Sequence, residues 1–138
     1  MKYELNNYKS YDLGNLPKDS IKELEEYSYL AALDGSVSAE IIKLNVLAPL
    51  DASAVVESVR KTGRLVVVEE CFATGGMGQQ ICAALERAGV AVKELKLLSC
   101  GSDFVHQGSV AQLYHSLGID AEGIRTCVNE VCHGESKT

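Results

Sequence analysis

Gly75-Gly76-Met77-Gly78 stands where a run of strand-forming residues gives way to a helical pattern. At such a junction, free backbone N–H groups and the positive end of the helix dipole attract phosphate or another anion. The run lacks the full dinucleotide or phosphate-loop pattern, and no lysine follows it. Close packing of helix on strand through a sharp turn is the favoured reading, with anion binding at Gly75, Gly76, Met77 and Gly78 as the chemical alternative. Just upstream, Glu69 and Glu70 have the side chains for acid–base or metal work. A strand sends successive side chains to opposite faces, so only one of the two could address a cleft. A cap or ion-pair role for one of them is favoured over catalysis.

Cys71 follows in a loop ahead of a helix, where a thiolate would be stabilised, but no histidine lies nearby in sequence to act as its partner. It is read as a small buried hydrophobe. Cys127, Cys132 and His133 have types that bind zinc, yet no second Cys/His pair stands at ligand spacing, and a structural zinc site needs four ligands. No metal site is expected. His106 and His115 are read as surface or interface groups rather than bases. The five cysteines are odd in number and lie in apolar or helical segments, which points to reduced thiols.

The elements that must position these residues alternate in period. Ala39–Val46 and Arg64–Glu69 are short, rich in Ile, Val and Leu, and bounded by turn or cap residues, so both predict buried strands. Ala91–Leu98 alternates less cleanly and predicts a strand nearer an edge. Ser20 and Glu23 have capping-box spacing, with Ile21, Leu24, Tyr27 and Ala31 on one face of a helix over 20–33 that stops at Gly35. Asp51 is placed to cap a helix carrying Val55, Val56 and Val59, with Gly63 at its end. Further helices are predicted from Met77 to Ala88, Ser109 to Leu117 and Ala121 to Val131, the last capped by Asp120. Tyr8–Leu13 alternates in a way unsuited to a central strand and is read as an edge strand, pairing with Lys2–Leu5 through Asn6-Asn7, or as no strand. The polar tail 134–138 is expected to fray. Strand–helix alternation predicts an α/β fold: a three-layer sandwich with a mostly parallel sheet of four to five strands and helices on both faces.

With 138 residues, one core and one domain are expected. A net charge of -6 without a basic block excludes a phosphate-backbone partner such as DNA or RNA. No apolar stretch approaches the roughly 20 residues that span a bilayer, and the polar start MKYELNNYKS is unlike a signal peptide. A cytosolic setting without membrane contact is expected.

Two segments carry a family likeness. The first runs Leu47-Ala48-Pro49-Leu50-Asp51, a helix with Val59-Arg60-Lys61-Thr62-Gly63, the strand ending in Glu69-Glu70, and the glycine loop. The second runs Ser102-Asp103-Phe104-Val105-His106-Gln107-Gly108-Ser109, then Leu117-Gly118-Ile119-Asp120-Ala121-Glu122-Gly123-Ile124. Together they resemble the C-terminal domain of the transketolase superfamily, in the form found in 1-deoxy-D-xylulose-5-phosphate synthases. Pro49, Leu50, Asp51, Glu69, Glu70, Asp103, Phe104 and Gly108 are the positions that match, over a span from about Ser38 to Cys132. The second motif usually ends Glu-His-Gly in that family; here His106 and Gln107 hold those two positions, so no role of the family's histidine carries over.

The resemblance implies chemistry on thiamine diphosphate held through magnesium, condensing pyruvate with glyceraldehyde 3-phosphate at the entry to isoprenoid and thiamine synthesis. The family's metal signature, Gly-Asp-Gly, does not occur in this sequence. The family keeps those groups in two other domains. The chain is therefore expected to bind no cofactor alone, to supply no catalytic residue, and to act in domain packing and dimer assembly. Its expected partners are the catalytic domains or subunit of the same enzyme, and a homo-oligomer. A stand-alone flavodoxin-like module binding a small ligand or phosphate is the alternative, and a 2-oxo acid dehydrogenase β-subunit domain is a third reading.

Overall fold

The computed structural model describes residues 8–12 and 38–134. The helix expected over 20–33, the Lys2–Leu5 pairing and the 135–138 part of the tail lie outside the described residues. The described elements are β1 (Tyr8–Asp12), β2 (Glu40–Leu44), α1 (Ser53–Thr62), β3 (Arg64–Val68), α2 (Met77–Arg87), β4 (Glu94–Leu98), α3 (Val110–Leu117) and α4 (Ala121–His133).

The fold is α/β, and the described strands form two ladders. β3 and β4 pair in parallel, Arg64 opposite Glu94 through to Val68 opposite Leu98. β1 pairs antiparallel with β2, Tyr8 opposite Leu44 through to Asp12 opposite Glu40. A single sheet of four to five strands does not form among the described residues. The reason lies in the edges: β2 takes its partner from β1 and β3 takes its partner from β4, and apolar content alone does not choose a neighbour. Tyr8–Asp12 is accordingly a strand, and its partner is not the neighbouring Lys2–Leu5 but β2, with Ser10 opposite Ile42.

Each strand is shorter than its apolar run because only the laddered residues are held extended. At the start of β4, the Gly63 carbonyl accepts from Lys93 N–H at 2.7 Å and Glu94 N–H at 3.2 Å. That clamp sets where pairing begins. α1 ends as expected: Gly63 turns left-handed at φ 67 and returns its N–H to the Val59 carbonyl at 2.7 Å. The cap position of α1 is Ala52 rather than Asp51, which stands one residue before it and accepts at Oδ1 from Ser53 N–H at 3.0 Å. Ser109 and Gln112 close a capping box on α3, and Asp120 Oδ1 accepts from Gly123 N–H at 2.8 Å to cap α4.

The core is built on the facing stripes of α1 and α2. Val55, Val59, Ile81 and Leu85 are each 4% exposed or less, and Ile42, Leu44, Leu65 and Val67 pack against them from the strands. Burying each such side chain stabilises by about 1.5–3 kcal/mol. A second buried set, Ile119, Ile124, Cys127 and Val131, belongs to α4 and the turn before it. α4 packs on β3 and β4 and brings Glu130 Oε2 within 3.9 Å of Lys96 Nζ. Lys96 alternates with Leu97, whose side chain lies against Gly78 of α2. α2 and α4 therefore cover opposite faces of the β3–β4 ladder.

Candidate functional site

The residues with chemical potential meet at the carboxyl ends of β3 and β4. The parallel pairing continues past both strands: Glu69 N–H donates to Leu98 O at 3.0 Å, Cys100 N–H to Cys71 O at 2.9 Å, and Ala73 N–H to Gly101 O at 2.9 Å. The loop holding Glu70 and Phe72 is thus zipped to the loop leading to Asp103 and Phe104.

Glu69 turns into the start of α2. Its Oε2 accepts from Met77 N–H at 2.7 Å and its Oε1 from Gly78 N–H at 3.1 Å. Gly75 N–H donates to Gln79 Oε1 at 2.8 Å. The charge on this helix N-terminus is therefore the protein's own carboxylate, in the dipole-favoured position. Gly76 makes the approach possible: a Cβ there would lie 2.5 Å from Glu69 Oε1 and 2.7 Å from Phe72 O. Glu69 caps α2, and Gly76 and Gly78 lie close against its carboxylate. A phosphate at this loop would have to displace the carboxylate from two of its four residues.

Glu70 diverges from its neighbour and accepts from the hydroxyl of Tyr114 on α3. Cys71 is exposed rather than buried, because the backbone bonds of the zipped loops hold it at the surface instead of in either helix stripe. Phe72 is 58% exposed, Phe104 88% and Val110 63%. The Phe104 ring meets His106 edge-on, centroids 6.3 Å apart. Gly108 lies beside Leu113, just before the Ser109 cap. In the other motif, the Ala48–Pro49 bond is cis and Leu50 packs on the core beside Asp51.

His115 and Asp120 bind across the α3–α4 corner, Nδ1 to Oδ2 at 2.7 Å. The hydrogen bond and charge of Asp120 raise the His115 pKa above its ordinary value. The Asp120 pKa is lowered, first by the Gly123 N–H and then by His115. Among the described residues, His115, Asp120 and Glu122 are the group whose ligand atoms gather within 4.8 Å. Both Asp120 oxygens are already engaged there. Cys127, Cys132 and His133 are not gathered into such a group; burial pushes the Cys127 thiol up.

Sequence reasoning missed Tyr114, which gives no local signal because its partner is 44 positions away. It also missed Phe72, an aromatic in a polar loop that could have been flagged as surface-borne. Two surface depressions lie elsewhere, one at the end of α4 around Thr126 and His133 and one by Leu50, Ala84 and Arg87.

The family model described as "Transketolase, C-terminal domain" matches residues 24–124, and the chain belongs to that family. The chain is similar to 1-deoxy-D-xylulose-5-phosphate synthases. That of Syntrophotalea carbinolica is 35% identical over 97 residues, 70% of this chain and 15% of the relative. Those of Thermomicrobium roseum and Methylibium petroleiphilum are 35% and 36% identical over 104 residues, 74% of this chain and 16% of each relative. The chain thus spans about one sixth of the length of these relatives. Among the described residues, no helix is long and apolar enough to cross a membrane.

Proposed function

We propose that the chain is a non-catalytic assembly domain or subunit of a 1-deoxy-D-xylulose-5-phosphate synthase, the thiamine-diphosphate-dependent condensation of pyruvate with glyceraldehyde 3-phosphate. One observation carries the reading. At the carboxyl ends of β3 and β4 Glu69 holds the start of α2 and Glu70 accepts from Tyr114, while Phe104 and Phe72 are left 88% and 58% exposed. Catalysis needs free polar groups in a concave site; docking needs apolar side chains on the surface.

Thiamine diphosphate with magnesium finds poor accommodation in this chain. The helix N-terminus behind the glycine loop already carries Glu69, and the sequence has no Gly-Asp-Gly. The catalytic domains or subunit, in a cytosolic enzyme, would hold the cofactor and be the partner, with a second copy of the chain as the other occupant. The synthase is favoured over a 2-oxo acid dehydrogenase domain by the relatives' names. The three-layer sandwich remains the architecture that fits this role, since α1 packs on both β2 and β3 residues.

A turnover assay with pyruvate, glyceraldehyde 3-phosphate, thiamine diphosphate and magnesium tests the reading. The pure chain is expected to form no product, and a Phe104→Ser change is expected to weaken its association with the catalytic part. Product from the pure chain would overturn it.

A further inference from the structure

The docking face has a charge character of its own. The loops 69–76 and 99–109, with all of α3, contain Glu69, Glu70 and Asp103 but neither lysine nor arginine. Glu70, bonded by the Tyr114 hydroxyl, and Asp103 are both exposed. Five basic side chains lie at the other end of the ladder, Arg60 and Lys61 in the last turn of α1, Arg64 opening β3, Arg87 closing α2, and Lys93 ahead of β4, while Lys96 sits on β4 beside Glu130 and Arg125 on α4. The exposed aromatics Phe72 and Phe104 sit within the acidic end.

We propose that this end docks a basic, apolar surface on a separate polypeptide, with lysine or arginine side chains set around an apolar centre that covers Phe72 and Phe104. The inference rests on the docking reading above and adds the chemistry of the partner. Two copies meeting through this same end would press Glu70 and Asp103 against their own equivalents, and like charges across a contact are unfavourable. A head-to-tail pair is the lesser fit too. The amino end offers five basic groups, but the exposed large apolar side chains of β4 are Leu95 and Leu97, only 38% and 40% exposed against 88% for Phe104.

The test uses two labelled probe peptides of equal length, one repeating Leu-Lys-Lys-Leu and the other Leu-Glu-Glu-Leu, titrated into the intact chain by fluorescence anisotropy. The basic peptide is expected to bind and the acidic one not, with affinity falling as salt rises. The double variant Glu70→Gln/Asp103→Asn is expected to weaken basic-peptide binding roughly tenfold, as loss of two complementary charges should. Gln still offers Tyr114 an acceptor, so the fold is kept. Phe104→Ser should weaken it comparably. The double variant Glu86→Gln/Glu94→Gln makes the same change in net charge at exposed sites away from the loops and should leave binding unaltered. Equal loss in both double variants, or equal binding of both peptides, would overturn the basic partner while leaving docking intact. Concentration-dependent self-association by light scattering that consumes the face would do the same. No binding of either peptide by a strict monomer would remove the docking reading as well.

Discussion

At the residue scale, Glu69 shows how a carboxylate in a suggestive place is used up by the backbone. Charged acceptors bond more strongly than neutral ones, and two N–H donors converge on this one. Glu69→Ala should lower stability by about 1–3 kcal/mol, since it leaves part-buried donors unpaired. Glu69→Gln should lose less, keeping one acceptor oxygen; urea denaturation with equal slopes would check both. His115 and Asp120 make a pH-dependent contact. His115 has its pKa raised from 6.5, so its contribution is full below that value and is lost as pH rises through the folded pKa. Asp120 has its pKa lowered from 3.8, so its contribution is present above that value and is lost as pH falls through the folded pKa. The pair thus acts fully between those two unfolded values. The melting-temperature difference between wild type and His115→Gln should be largest near pH 5 and should fade in alkaline buffer; a difference constant with pH would exclude the charged pair.

At the scale of elements, the α1–α2 contact carries the main core. Leu85 is 2% exposed and sits among Val55, Val59 and Ile81. Leu85→Ala should destabilise by about 2–5 kcal/mol, from lost transfer energy and the cavity left behind. Chemical denaturation would measure it, and a loss under 1 kcal/mol would mean the helices collapse onto the gap. The pattern of buried helix positions was legible early, because a 3.6-residue period repeats Val55 with Val59 and Ile81 with Leu85 on one stripe. Helix ends were legible for the same local reason: Gly63, Ser109 and Asp120 act where their chemistry put them. Strand partners were not, since β3 meets β4 some 30 residues on and β1 meets β2 after a longer excursion.

At the scale of the whole molecule, the question is what the chain binds. A ligand present at 100 times its Kd stabilises the folded state by about 2.7 kcal/mol. For a protein of this size that is a shift of several degrees in melting temperature, roughly 2–8 °C per kcal/mol. Thiamine diphosphate and magnesium at millimolar concentration are expected to leave the melting temperature of the isolated chain unchanged. A clear upward shift that depends on both components would place cofactor binding within this domain and displace the assembly reading.

What the amino-acid sequence determined by itself was local or additive: the α/β class, the helix stripes and caps, the acidic balance, and the family match carried by Pro49-Leu50-Asp51, Glu69-Glu70 and Asp103-Phe104. The helix stripes and caps follow from periodicity and from side chains acting on backbone within four residues. Tertiary structure alone decided that Glu69 faces α2 while Glu70 faces α3, that Cys71 and Phe72 stand at the surface, and that the strands divide into two ladders. Each of those depends on which distant backbone comes alongside. Hydrogen-bond partners that are 30 or 44 positions apart are chosen by the packing of helices on strands, and no local preference encodes that choice.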